Sequence, residues 1–70
     1  MKQGSIQKLQ ELRLEYQYSY QQMANFLGIS RTFYWQLEHQ KRGLTYAMAI
    51  QIAAIFQKKP DDIFLTNLKD

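Results

Sequence analysis

SYQQMANFLGISRTFYWQLEHQKRG, residues 19–43, decides how the rest of the chain is to be read. Ser19 has a hydroxyl able to cap a helix, and Gln22, three positions on, is able to reach back to the Ser19 amide, a reciprocal closure of a helix N-terminus. Tyr18 before the cap and Met23 at the fourth helical position have the spacing of a hydrophobic staple. The pattern predicts a helix over residues 19–27. Gly28 supplies the left-handed residue that ends many helices, and Ser30 is placed to cap a second helix over residues 30–39. Gly28, Ile29 and Ser30 therefore form a turn with a mechanism. Ala24 is small where two steeply crossing helices approach closely, and Met23, Leu27, Ile29, Tyr34 and Leu37 fall where both helices feed one core. Such a pair cannot bury itself alone and needs flanking helices.

Seventy residues make one domain, read as residues 1–70. A chain of this size buries about 60–65 % of the surface its unfolded form exposes, so its stability is modest unless it associates. Cysteine is absent, and a single histidine, His39, has no partners to build a metal centre; neither a disulfide framework nor a metal is expected. The N-terminal segment interrupts every apolar pair with polar residues, so no signal core or membrane span fits and a cytoplasmic protein is expected. The net charge of +3 favours a polyanionic partner only mildly, and its distribution says more. Between Ser19 and Thr45 the only acid is Glu38, against Arg31, Lys41 and Arg42, whereas Asp61, Asp62 and Asp70 gather at the far end.

Outward from the central stretch, residues 5–16 read as a first helix with Ser5 as its cap and with Ile6, Leu9, Leu12 and Arg13 on one side. Leu14 and Tyr16 widen its apolar surface. Residues 40–44 form a loop, Thr45 caps a fourth helix over 46–56, and in that helix Tyr46, Ala49, Ile52, Ala53 and Phe56 are expected inward. Met48 and Ile55 are expected to be partly exposed or at an interface, because a helix apolar all round is buried or meets another chain. Pro60 fits the first position of a short fifth helix, with Asp61 and Asp62 at the positive end of its dipole. Adjacent carboxylates at a helix start, with no further ligands nearby, read as dipole partners rather than as a metal or acid–base site. Ile63, Phe64, Leu65 and Leu68 either close the core or, with Ile55, form a symmetric dimer contact. The scattered glutamines read as surface and groove-facing polar residues.

These residues resemble the helix-turn-helix of the phage repressor and Cro family, also called the XRE family. Its pattern Ser-x-x-x-Leu-Ala-x-x-x-Gly-Val-Ser-x-x-x-Ile-x-x-Ile-Glu is met by Ser19, Met23, Ala24, Gly28, Ile29, Ser30, Tyr34, Leu37 and Glu38. The likeness runs from about Ile6 to Phe64, with Arg13 and the run Pro60-Asp61-Asp62-Ile63-Phe64 as further matches. The resemblance implies an all-α, five-helix, lambda repressor-like DNA-binding domain of bacterial or phage origin, with the helix-turn-helix at its centre. It implies a transcriptional regulator, most simply a repressor, that works as a homodimer on an inverted-repeat operator with half-sites about 34 Å apart. Arg13 is then expected to reach Glu38 in a buried ion pair.

An α-helix fits the major groove of double-stranded DNA, where each base pair presents a distinct set of donors, acceptors and methyl groups. Carried over from the family, the base-contacting positions are Arg31, Thr32, Trp35 and Gln36, with Arg31 suited to guanine and Gln36 to adenine. Phosphate contacts are expected from Tyr20 and Gln21 at the start of the second helix and from His39, Lys41 and Arg42 after the third. His39 is equally well read as a solvated helix end. Tyr34 stands where an aliphatic residue is usual, Trp35 is bulky for a groove, Gln40 replaces a small loop residue, Leu44 stands where proline is common, and Phe26 and Phe33 occupy positions expected to be exposed. A second reading therefore keeps the fold but uses Phe26, Phe33 and Trp35 to hold a protein partner, as an antitoxin, anti-repressor or partner of another regulator. An enzyme is not expected, since the sequence contains no nucleophile–base pair, ligand cluster or phosphate-binding glycine loop, and no cofactor is implied.

Overall fold

The structure, a computed structural model, describes residues 6–69, with side chains described as far as Phe64. Among the described residues are five helices and no strand: α1 (Gln7–Glu15), α2 (Tyr20–Leu27), α3 (Arg31–Glu38), α4 (Tyr46–Ile55) and α5 (Pro60–Lys69). α2 packs on α3, α4 on α5, α1 on α5 and α2 on α4, so α3 sits at one side of the bundle. The shared core takes Leu9 and Leu12 from α1, Met23 and Ala24 from α2, Tyr34 from α3, Ile52 and Phe56 from α4 and its end, and Phe64 from α5. This is the all-α, repressor-like arrangement expected around a central helix-turn-helix.

Helix starts are set by side chains. Ser19 Oγ accepts from the Gln22 amide at 3.0 Å while Gln22 Oε1 accepts from the Ser19 amide at 2.8 Å. Ser30 Oγ accepts from the Phe33 amide at 3.0 Å, and Thr45 Oγ1 from the Met48 amide at 3.1 Å. Asp62 Oδ2 accepts from the Lys59 amide at 3.1 Å, closing the start of α5 behind Pro60. α1 starts differently. Its cap position is Ile6, which makes no side-chain cap bond, and the expected cap Ser5 lies outside the described residues. Instead the Ile6 amide donates to the Glu38 carbonyl at 2.8 Å, tying the start of α1 to the last residue of α3.

Helix ends share one device. After α1, Tyr18 N–H donates to the Arg13 carbonyl and Gln17 N–H to that of Leu14; the same paired bonds close α2 at Gly28 and Ile29, α3 at Gln40 and Lys41, and α4 at Gln57 and Lys58. The pivot of each closure is left-handed. At Gly28 (φ 71°) glycine takes that conformation without penalty, but the other three pivots are Gln17 (φ 61°), Gln40 (φ 58°) and Gln57 (φ 57°). Glutamines read from sequence as generic polar surface thus hold the chain reversals.

Other expectations change with the packing. Tyr46, expected inward, is 59 % exposed, because the first residue of α4 lies beyond the end of the core that Ala49, Ile52 and Ala53 enter one turn later. Ile50 is exposed as well, so the outer face of α4 is uncharged and, apart from Gln51, largely apolar. Ile63 and Phe64, expected either to close the core or to form a dimer contact, are 5 % and 0 % exposed: α5 turns them into this chain's own core and not to a dimer contact. Ile55 is half-buried against that core, and the side chains of Leu65 and Leu68 lie outside the described residues.

Candidate nucleic-acid interface

α3 has an inner edge that is locked and an outer edge that is open. On the inner edge Arg13 donates from Nε to Glu38 Oε1 at 2.9 Å and from Nη2 to Glu38 Oε2 at 3.1 Å, a two-pronged ion pair with both side chains buried. Arg13 Nη1 donates to the Tyr18 carbonyl at 3.0 Å, and the guanidinium carbon lies 4.3 Å from the centre of the Tyr20 ring. Tyr34 donates to Glu38 Oε1 at 2.8 Å. The carboxylate is thus neutralised and fully occupied, as a buried charge must be. Burial works against the charge on Arg13, but the hydrogen bond and charge of Glu38 outweigh it and hold the guanidinium above its usual value. Burial pushes the Tyr34 phenol far above its ordinary value, and the charge and hydrogen bond of Glu38 push it further, so the phenol stays a donor.

The lock also shapes the outer field. Glu38 is the only acid between Ser19 and Thr45, and it is buried and paired, so the exposed formal charge of that stretch is entirely cationic: Arg31, Lys41 and Arg42. Such a surface draws in polyanions.

On the outer edge Arg31, Thr32 and Trp35 are exposed and line one shallow cleft of about 230 Å³. A larger cleft, about 350 Å³, lies behind the 40–44 loop against Ile6 and Leu37. It is formed by the chain reversal after α3 and is lined by Lys41 and Arg42 as well. Arg31 is the first residue of α3, where the helix dipole disfavours a cation, and no acid stands in that turn. The indole of Trp35, 38 % exposed, stacks on His39 with ring centres 4.2 Å apart, and His39 Nε2 shares a hydrogen bond of 3.3 Å with the Tyr20 hydroxyl. Two expected phosphate positions, Tyr20 and His39, are therefore brought together beside an expected base position. Gln21 is exposed at the start of α2, where its amide nitrogen donates to Asn25 Oδ1 at 3.0 Å.

Gln36 is half-buried. Its Oε1 accepts from Arg42 Nε at 3.1 Å, while the Arg42 guanidinium lies over the Phe33 ring at 4.2 Å. Phe33, expected to be exposed, is half-covered for that reason. Phe26 is 52 % exposed but belongs to a different group of rings, edge-on to Tyr18 at 5.0 Å, with Tyr18 and Tyr16 in turn against Phe56. Sequence reasoning missed the Arg42 contact, the Tyr20–His39–Trp35 chain and Tyr18 as an acceptor for Arg13. The four-residue spacing of Trp35 and His39 was a signal for their stacking; the Arg42 contact had none, because it depends on the left-handed Gln40 sending residues 41 and 42 back along α3, and glutamine does not announce such a turn.

A pair of side-chain-capped helices joined by a tight turn inside an all-α bundle, with a cationic outer edge on the second, defines a repressor-like helix-turn-helix domain, the fold of DNA-binding regulators. A family model described as a helix-turn-helix domain matches residues 6–68, and the chain belongs to that family, of the phage repressor and Cro type. No curated protein and no solved structure matches the chain. No helix among the described residues is long and apolar enough to cross a membrane.

Proposed function

We propose that this protein is a sequence-specific, double-stranded DNA-binding transcriptional regulator that inserts α3 into the major groove and represses by occluding a promoter. The observation that carries the reading is the two-sidedness of α3. Its inner edge is fixed by Arg13, Tyr34 and Glu38, while Arg31, Thr32 and Trp35 stand exposed around one cleft. A rigid helix with a free polar edge is what direct base reading requires. Gln36 completes the reading edge, and Tyr20, Gln21, His39, Lys41 and Arg42 flank it as phosphate contacts. The regulator acts on bacterial or phage DNA in the cytoplasm as a homodimer, with Ile55, Leu65 and Leu68 in the contact between copies. Neither catalysis nor a cofactor enters this function.

Selection from a random double-stranded pool, followed by a salt series on the enriched site, tests the proposal. An enriched inverted repeat and a steep fall of affinity with salt are expected, since each neutralised phosphate contributes about −0.9 to the log–log slope. An unenriched pool with salt-independent binding would end this reading. The competing reading, a protein-interaction module anchored by Phe26, Phe33 and Trp35, is favoured by the exposure of Phe26 and Trp35. Each of the three rings has a different partner: Phe26 sits with Tyr18, Phe33 under Arg42, and Trp35 on His39. Loss of a protein partner in Trp35→Ala with DNA affinity intact would favour the module.

A further inference from the structure

We propose that Arg42 is a specificity-determining residue which, with Gln36, forms one composite hydrogen-bond donor that selects guanine. The inference rests on the DNA-binding reading above, changes the base expected at Gln36 and moves Arg42 from the phosphate contacts to the reading edge. The closure after α3 is the starting point: Lys41 N–H donates to the Gln36 carbonyl at 2.7 Å, and Gln40 is left-handed, so the chain folds back along the helix it has just left. Arg42 is thereby laid over Phe33 and Gln36, which share a helix face because they are three residues apart. Its guanidinium is held at two points, 4.2 Å from the Phe33 ring centre and 3.1 Å from Gln36 Oε1.

The orientation of the Gln36 amide follows from chemistry. Arginine has only donors, so the atom facing Nε must be the amide oxygen, and the NH₂ group is the part left for a ligand. A free glutamine suits adenine because its oxygen accepts from N6–H while its nitrogen donates to N7. Here one of the oxygen's two lone pairs accepts from Arg42, and the cationic guanidinium beside it opposes a second approaching donor such as adenine N6–H. The Gln36 NH₂ and the Nη hydrogens of Arg42 then leave a surface on which donors predominate. In the major groove guanine offers two acceptors, N7 and O6, and no donor, whereas adenine, cytosine and thymine each present at most one acceptor there. The composite donor therefore matches guanine, and Phe33 acts as the platform that keeps Arg42 in place.

Binding-site selection on the wild type and on Gln36→Ala, Arg42→Ala and Arg42→Lys tests this. The base position whose preference disappears in Gln36→Ala is the one read by Gln36. Wild type is expected to hold guanine there over adenine by between about fivefold and about 150-fold, the range of a good two-bond contact. Arg42→Ala frees the amide and is expected to move the preference toward adenine. Arg42→Lys, which keeps the charge but has neither the planar fork nor Nε, is expected to behave like Arg42→Ala at that position. Thermal unfolding of each variant checks that the fold persists. An enriched motif with adenine at that position in wild type, or one unchanged in both Arg42 variants, overturns the composite donor while leaving DNA binding intact. If the variants only weaken binding uniformly and flatten the salt slope by about one, Arg42 is a phosphate contact and the inference fails. A wild-type pool without any enriched motif overturns both readings.

Discussion

Tyr34 stands one helical turn before Glu38 and donates its phenolic hydrogen to the same carboxylate oxygen, Oε1, that accepts from Arg13 Nε. Arg13 and Glu38 are 25 residues apart in sequence, so the shared oxygen fixes the angle at which α3 leaves the body. Removing one partner strands a buried charge. Arg13→Ala and Glu38→Ala should each cost about 3–5 kcal/mol, and the double variant should cost well below the sum, because the first change already breaks the pair. Arg13→Lys should fall close to Arg13→Ala, since an ammonium cannot serve Glu38 twice and Tyr18 at once. Urea unfolding of the four variants measures this; additive losses would mean that the pair is not coupled.

The same phenol predicts a pH effect. Tyr34 has a folded pKa raised above its unfolded value near 10.0, so its protonated form is favoured in the folded chain. Its contribution is fully present below pH 10 and is lost as pH rises above that, where the unfolded chain releases a proton that the folded chain retains. Stability should fall above pH 10 with a slope of up to about 1.4 kcal/mol per pH unit from this residue alone. Tyr34→Phe, less stable at neutral pH because Glu38 loses a donor, should show a flatter decline. A decline of equal slope in both proteins would rule this residue out as its source.

Much of the architecture was legible because its signals are local. Ser19 with Gln22, Gly28, Ser30, Thr45 and Pro60 act within a few residues of themselves: α2 is bounded at both ends, and α3, α4 and α5 begin, where those residues place them. Contacts that depend on packing were not legible in this way. Ile63 and Phe64 carry the same apolar spacing whether they cover their own core or a second copy, and only the placement of α5 against α1 and α4 decides it. Tyr46 and Ala49 read alike on a helical wheel, yet the core ends between them. On the outer edge of α3 the residue types were evident, but not the bond that joins Gln36 to Arg42, because the reversal at Gln40 is imposed by the fold rather than by glutamine's own preference.

That reversal carries a stability prediction. Glutamine in a left-handed conformation bears a steric penalty of about 1–2 kcal/mol that glycine does not, partly offset by the larger freedom glycine has when unfolded. Gln17→Gly and Gln57→Gly, far from α3, should each stabilise the domain by about 0.5–1 kcal/mol, roughly additively. Gly28→Ala should do the reverse. No atom lies within 4 Å of the position a Cβ would take at Gly28, so that cost is conformational and not a clash. Chemical denaturation of the three variants supplies the check, and a destabilised Gln57→Gly would contradict it.

Arg31 separates stability from function at a single position. At the first residue of α3 its charge opposes the helix dipole, with no acid in the turn to compensate. Reversing the sign replaces an unfavourable interaction with a favourable one, each worth about 0.3–1 kcal/mol at low salt. Arg31→Glu should therefore raise the midpoint of thermal unfolding, and the gain should shrink as salt screens the dipole. On the proposed DNA-binding reading, the same change removes a donor from the reading edge and places a negative charge where bases and phosphates would approach, so specific binding should be lost. Lys41→Ala offers the contrast: a phosphate contact alone should weaken binding to all sequences alike and reduce the salt slope by about one, leaving the selected motif unchanged. If Arg31→Glu bound DNA as tightly as the wild type, the outer edge of α3 would not be the surface that meets the duplex.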